Sequence, residues 1–113
     1  DLVRLILARR GYTVLGATGG REGLDLIRRE SPDLVLLDLM MPDIDGWDVY
    51  QRMKANETTR DIPVIIVTAK AQSIDKVLGL TIAKVEDYIS KPFTPQELIE
   101  SVEKVLSQQT GPD

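Results

Sequence analysis

Residues Pro32–Asp48 read PDLVLLDLMMPDIDGWD, and this stretch contains the pattern from which the fold can be inferred. Apolar residues run without a break over 34–37 and stop at a single carboxylate, Asp38. A short, continuous apolar run is typical of a strand that is covered on both faces, as strands of parallel sheets are. The sequence therefore predicts a buried strand over Asp33–Asp38 that carries an acid at its carboxyl end.

Strand and helix patterns alternate along the rest of the chain. Helices are predicted over Leu2–Arg10, Arg21–Glu30, Trp47–Ala55, Ser73–Ala83 and Pro95–Leu106, and strands over Tyr12–Ala17, Asp33–Asp38, Ile62–Ala69 and Glu86–Ser90. Thr94 and Glu97 are spaced as a capping box for the last helix. This alternation predicts an α/β fold with a doubly wound, open parallel sheet, in which ligands bind at the carboxyl ends of the strands.

Composition excludes several classes of site. The chain has 113 residues, enough for one domain with a core, and its net charge of -4 argues against a nucleic-acid-binding surface. It contains no cysteine and no histidine, which excludes thiolate and imidazole metal ligands and Ser-His or Cys-His nucleophile pairs. No apolar run approaches the ~20 residues of a membrane span and no signal peptide opens the chain, so we predict a cytoplasmic protein.

Polar residues stand at the ends of three predicted strands. Asp38 and Thr68 close two of the apolar runs, and Lys91 follows the last strand. An aspartate can form an acyl phosphate with a reactive phosphoryl donor, and the transferred group is stabilised by cations and hydrogen-bond donors. Mg²⁺ prefers oxygen ligands, so carboxylates and a backbone carbonyl suit it. The three residues therefore predict a small phosphoryl-binding site at one edge of the sheet.

Two further motifs have simpler interpretations. Asp43 and Asp45 fit an EF-hand register, but Met41 and Arg52 would then occupy its first and twelfth positions, where neither side chain can bind calcium. This acidic stretch is therefore predicted to be a turn that leads into a helix. The segment GATGG, residues 16–20, lacks the spacing of a phosphate-binding glycine loop and is predicted to be a flexible strand-to-helix connection.

The combined motifs resemble those of one family. PDLVLLDLMMPDIDGWDV, IPVIIVTAKA and DYISKPFTPQEL occur here in the order and spacing of a two-component response-regulator receiver domain. The resemblance extends along essentially the whole chain and implies a flavodoxin-like, three-layer α/β/α fold. It also implies a receiver domain over residues 1–107, followed over residues 108–113 by a polar tail or the start of a linker.

The resemblance implies roles for the residues at the sheet edge. Asp38 would be the phosphoacceptor, and Thr68, Ala69 and Lys91 would bind the phosphoryl group. Thr68 would also act as a switch together with Tyr88, whose ring would turn inward when Thr68 moves.

Other implied roles concern the metal and the surrounding loops. Mg²⁺ would be bound by Asp38, by the backbone carbonyl of Met40 and by an acidic pair that lies upstream in the family. Pro42 and Gly46 would shape the loop after Asp38. Pro92 would form a cis peptide bond with Lys91, which proline permits at modest cost.

The implied function is that of a phosphorylation switch. A sensor histidine kinase or phosphotransfer protein would phosphorylate Asp38, and the last two helices would then contact an output domain or a second copy of the chain, with no membrane or direct nucleic-acid contact. The domain would not be an enzyme, except that it would catalyse its own phosphoryl transfer and its own slow dephosphorylation. Lys70 and Met40 would slow this dephosphorylation.

One alternative is a receiver-like module that binds its partner without phosphorylation. Another is an aspartate-nucleophile phosphohydrolase, which is disfavoured because Met40 stands where its second acid is needed.

The sequence departs from the family in two places. The first strand and the acidic pair at its end would precede Leu2–Arg10, but only Asp1 does so, and it matches neither acid. Losing four or five buried side chains at ~1.5–3 kcal/mol each would remove most of the ~5–15 kcal/mol that stabilises a domain. We therefore expect the chain to be incomplete at its start or completed by another segment, and neither stably folded nor active alone.

The second departure is the connection within Gly79–Tyr88, which is one residue longer than is usual in the family.

Overall fold

The computed structural model describes residues 2–40, 43–69 and 85–109, and all statements about the fold concern these residues. The helix predicted over Ser73–Ala83 lies outside them, as do Met41, Pro42 and Lys70. The elements, in chain order, are α1 (Leu2–Ala8), α2 (Gly20–Glu30), β1 (Val35–Leu37), α3 (Gly46–Ala55), β2 (Val64–Thr68), β3 (Asp87–Ser90) and α4 (Pro95–Gln109). In this part of the chain no helix has both the length and the apolar character that a membrane span requires.

The three strands form a parallel sheet in the order β1-β2-β3. Leu37 of β1 pairs with Ile66 of β2, and Thr68 at the end of β2 pairs with Ser90 at the end of β3. The carboxyl ends of all three strands therefore meet at one edge of the sheet, as predicted.

The core consists of two apolar clusters on opposite faces of the sheet. The central strand β2 contributes to both, since Val64 and Ile66 lie in one cluster and Ile65 and Val67 in the other. The first cluster contains buried residues of α2 and α3, and the second contains buried residues of α1 and α4. This arrangement gives three α/β/α layers and explains why the predicted strands contain continuous apolar runs.

Local signals account for the helix ends. Gly11, with φ of 90°, follows α1, which stops two residues earlier than predicted. The predicted capping box of α4 is confirmed, because the backbone N–H of Thr94 donates to Glu97 and that of Glu97 donates to Oγ1 of Thr94. α4 continues to Gln109, three residues beyond its predicted end.

The strand predicted over Tyr12–Ala17 is wrong. Residues 12–17 form no strand, and Leu15 at their centre is 50% exposed. A strand requires hydrogen bonds to a neighbouring strand, and within residues 2–40, 43–69 and 85–109 only β1, β2 and β3 pair with one another. Three strands are therefore observed among these residues where four were predicted.

Candidate functional site

Asp38 lies directly after β1, at the carboxyl edge of the sheet. Its Oδ1 atom accepts a hydrogen bond from the backbone N–H of Met40 at 2.9 Å. Its Oδ2 atom accepts one from Nζ of Lys91 at 2.7 Å. The carboxylate is partly exposed, so a strand that is buried on both faces delivers its acid to a place that solvent and a partner can reach.

Lys91 and Thr68 reach the same edge from the other two strands. Lys91 follows Ser90, the residue of β3 that pairs with Thr68 of β2, and the Lys91–Pro92 peptide bond is cis, as predicted. Ala69 follows Thr68 and is exposed. The predicted convergence of strand ends is confirmed by the ion pair of Lys91 with Asp38 and by this register.

The loop after Asp38 folds back on itself at Gly46. The backbone N–H of Gly46 donates to the carbonyl oxygen of Leu39. A Cβ atom at Gly46 would lie 2.5 Å from Cα of Leu39 and 2.7 Å from the carbonyl oxygen of Asp38, so only glycine fits there without a backbone shift. Asp45 then caps α3, since its Oδ1 atom accepts from the backbone N–H of Trp47. The predicted turn into a helix is confirmed.

Asp43 has a role that the sequence did not reveal. Its Oδ1 atom accepts from the backbone N–H of Gly20 at 2.7 Å and its Oδ2 atom from that of Arg21 at 3.2 Å, so it caps α2, more than twenty residues away. These hydrogen bonds, from Gly20 first and then from Arg21, lower the pKa of the Asp43 carboxyl below its ordinary value. A signal was available, because the N-cap of α2 is Gly19, which has no side chain with which to cap its own helix.

The described residues do not form a complete metal site. Residues 2–40, 43–69 and 85–109 contain no group of three acidic, histidine or cysteine side chains that could hold an ion. Asp38 supplies one carboxylate, and both of its oxygens accept hydrogen bonds from protein donors. One carboxylate and one carbonyl are few protein ligands even for Mg²⁺, which keeps several waters.

β3 and α4 border an open groove that runs along the strand from Asp87 to Pro92. Tyr88, 41% exposed, lines it together with Asp87. Asp87 accepts hydrogen bonds from Oγ of Ser101 at 2.6 Å and from the backbone N–H of Tyr88, and forms an ion pair with Lys104 at 3.2 Å. Burial raises the pKa of Asp87, but the hydrogen bonds, that of Ser101 foremost, together lower it below its ordinary value. The strand that leads to Lys91 is thus tied to α4.

Comparison with known proteins identifies the class that this fold and site define. The family model described as response regulator receiver domain matches residues 1–103, and the chain belongs to this family. It therefore has the flavodoxin-like fold and is a receiver domain of the two-component type, as the motifs predicted.

Individual relatives support the same assignment. The chain is 42% identical over 94% of its length to the DNA-binding dual master transcriptional regulator RpaA of Synechocystis sp., and 38% identical over 99% to the phosphate regulon transcriptional regulatory protein PhoB of Pseudomonas aeruginosa. It spans only 44% and 48% of those two proteins. Among solved structures, a CheY-like response regulator receiver domain protein from Methanospirillum hungatei is 31% identical with a TM-score of 0.85, over 96% of this chain and 85% of that one. These matches do not favour a module that works without phosphorylation.

Proposed function

We propose that Asp38 accepts a phosphoryl group from a histidine kinase or a phosphotransfer protein. The observation that carries this proposal is the placement of Asp38 between two donors, Lys91 and the backbone N–H of Met40, at an accessible sheet edge. A carboxylate oxygen of Asp38 attacks phosphorus, the P–N bond of the donor phosphohistidine breaks, and its electron pair stays on the imidazole nitrogen. The product is an acyl phosphate.

Lys91 has the charge needed to stabilise the transferred group. Its ammonium is a flexible point charge that bonds a carboxylate now and could bond a phosphoryl oxygen afterwards. Ala69 would provide a backbone N–H, and Thr68 a hydroxyl, to the same group. We also propose that water hydrolyses the acyl phosphate slowly, and that Lys70 and Met40 slow this hydrolysis.

Phosphorylation would change the groove between β3 and α4. A phosphoryl group carries a charge of about -1.5 to -2 in place of the single charge of Asp38. In the proposed switch Thr68 moves toward this charge and Tyr88, now 41% exposed, turns inward. Partners that contact the groove, either an output domain or a second copy of the chain, would then bind differently.

Mg²⁺ is expected from the family resemblance, with Asp38 and the carbonyl of Met40 as its ligands from this chain. Because these two groups do not complete a site, the acidic pair that the family places upstream would have to supply the rest. The cytoplasm, where phosphoryl donors of this kind act, is the compartment that the proposal implies.

Labelling the full-length protein with a radioactive acyl phosphate, such as acetyl phosphate, tests the proposal. The wild type should incorporate phosphate that alkali and hydroxylamine release, whereas Asp38→Asn should incorporate none. Asp48→Asn is a matched control, because Asp48 lies on α3 and pairs with Arg52 on the same helix. Equal labelling of the wild type and Asp38→Asn would end the proposal.

A further inference from the structure

Two residues of the loop after Asp38, Met40 and Asp43, are held by hydrogen bonds. Near Asp38, the backbone N–H of Met40 donates to the carboxylate. Five residues beyond Asp38, the carboxylate of Asp43 accepts from Gly20 and Arg21 at the start of α2, and its Oδ1 atom also accepts from its neighbour Ile44 at 2.8 Å. Asp43 thus connects the loop to α2, and neither of the donors that bond the Asp38 carboxylate comes from that helix.

A fitted surface on α2 receives this part of the loop. A Cβ atom at Gly19 would lie 2.8 Å from Oδ1 of Asp43. A Cβ atom at Gly20 would lie 2.9 Å from Cβ of Ile44, a buried side chain of the first core cluster. Two successive glycines therefore make room for two successive loop residues, one polar and one apolar. The GATGG segment, predicted to be a flexible connection, instead ends in two buried residues against which the loop packs.

We propose that Asp43 is a positioning residue for phosphoryl transfer: by anchoring the loop to the N-terminus of α2 it holds the Met40 backbone against Asp38. This inference rests on the proposed function. Asp43 contacts neither Asp38 nor Lys91 by any hydrogen bond among the described residues, so it acts through the loop and not on the reacting atoms.

The helix does not need Asp43 as its only N-terminal partner. Glu22 in its first turn accepts hydrogen bonds from both the backbone N–H and Oγ1 of Thr18, at 2.9 Å each. Glu22 therefore supports the same helix end through its hydrogen bonds to Thr18. A comparison of Asp43 with Glu22 separates anchoring of the loop from mere stabilisation of α2.

The first measurement is the ¹⁵N relaxation of the Met40 amide in the unphosphorylated full-length protein. In the wild type this amide should have an order parameter of about 0.85, and in Asp43→Ala it should fall below about 0.6. Asp43→Asn should recover most of the difference, because its carboxamide oxygen can still accept from Gly20. Glu22→Ala should leave the Met40 amide as in the wild type.

The second measurement is the rate of labelling by acetyl phosphate at a temperature at which every variant gives a native circular-dichroism spectrum. Asp43→Ala should be labelled at least tenfold more slowly, with Asp43→Asn in between and Glu22→Ala unchanged. Wild-type rates in Asp43→Ala, an equal loss in Glu22→Ala, or slow labelling with an ordered Met40 amide would each overturn the inference. A wild type that accepts no phosphoryl group would refute the proposed function, while the relaxation data would still decide whether Asp43 anchors the loop.

Discussion

Nζ of Lys91 lies 2.7 Å from Oδ2 of Asp38, and this ion pair joins the ends of two strands that are not neighbours in the sheet. It passes over the carboxyl end of the central strand β2. The two side chains are 43% and 34% exposed, and ion pairs with that much solvent around them contribute little to stability, about 0–1 kcal/mol. The pair therefore contributes little to folding, and the proposed function explains it as a cation held next to the carboxylate that accepts the phosphoryl group.

Replacing Lys91 by methionine should separate function from stability. We expect labelling by acetyl phosphate to slow by about 10²-fold, the loss typical of removing one group that stabilises transferred charge. The free energy of unfolding should change by less than about 1 kcal/mol, as measured by urea denaturation. Lys104→Met is the matched control, because Lys104 lies on α4 and pairs with Asp87 of β3, so its loss should leave labelling intact. Equal slowing in both variants would mean that Lys91 has no special role.

Gly46→Ala should destabilise the protein and displace Asp38, the proposed phosphoacceptor. Its Cβ atom would meet the backbone of Leu39 and of Asp38 at 2.5 and 2.7 Å, and overpacking of this kind costs about 1–3 kcal/mol. Gly23→Ala is the control, because it should change the free energy of unfolding in the opposite direction. Gly23 lies within α2, where an added Cβ would meet its nearest neighbour only at 3.8 Å, so we expect a gain of about 0.5–1 kcal/mol. Urea denaturation of both variants measures the difference, and a gain in both would contradict the close approach.

The sheet, its helices and the convergence of Asp38 with Lys91 could be predicted because their signals are local. β2 carries its continuous apolar run within five residues, and the capping box of α4 lies within four. A parallel sheet brings its strand ends to one edge whatever the details of packing. The apolar runs that mark the strands, together with this rule, therefore sufficed to place Asp38 near Lys91.

Features that depend on distant segments could not be predicted in the same way. Residues 12–17 have strand-forming side chains, but a strand exists only where a neighbour supplies hydrogen bonds. The capping of α2 by Asp43 depends on how a loop packs more than twenty residues away, and spacing along the chain does not encode that. In the sequence, only Gly19 and Gly20 indicate that another segment caps this helix.

The polypeptide of residues 1–113 should bind Mg²⁺ weakly. The described residues contain no group of three acidic side chains that could hold an ion, and the carboxylate of Asp38 would compensate only one of the two positive charges of Mg²⁺. Trp47, which follows Gly46 at the start of α3, is a suitable fluorescence reporter. We expect no saturable change in its emission at millimolar Mg²⁺. A saturable change that Asp38→Asn abolishes would show that these residues complete the site without further acids.

Ser101→Ala should make stability less dependent on the charge of Asp87. Oγ of Ser101 donates to Asp87 at 2.6 Å, and burial opposes the low pKa that this and the other hydrogen bonds produce. Without the hydroxyl we expect the pKa of Asp87 to rise, which a carboxyl NMR titration would detect.

The sign of the stability change follows from linkage. A carboxyl whose pKa is lower in the folded than in the unfolded state contributes stability that is fully present above its unfolded pKa of about 3.9 and is lost as the pH falls through the folded value. Ser101→Ala should therefore cost about 1.5–3 kcal/mol at pH 7, the range of a hydrogen bond to a charged group, and less at about pH 3. Glu103→Gln on the same helix removes only an exposed pair with Arg10 and should leave the pKa of Asp87 unchanged. If Ser101→Ala lowers the free energy of unfolding equally at both pH values, Ser101 stabilises the protein by packing and not by its hydrogen bond to the charged Asp87.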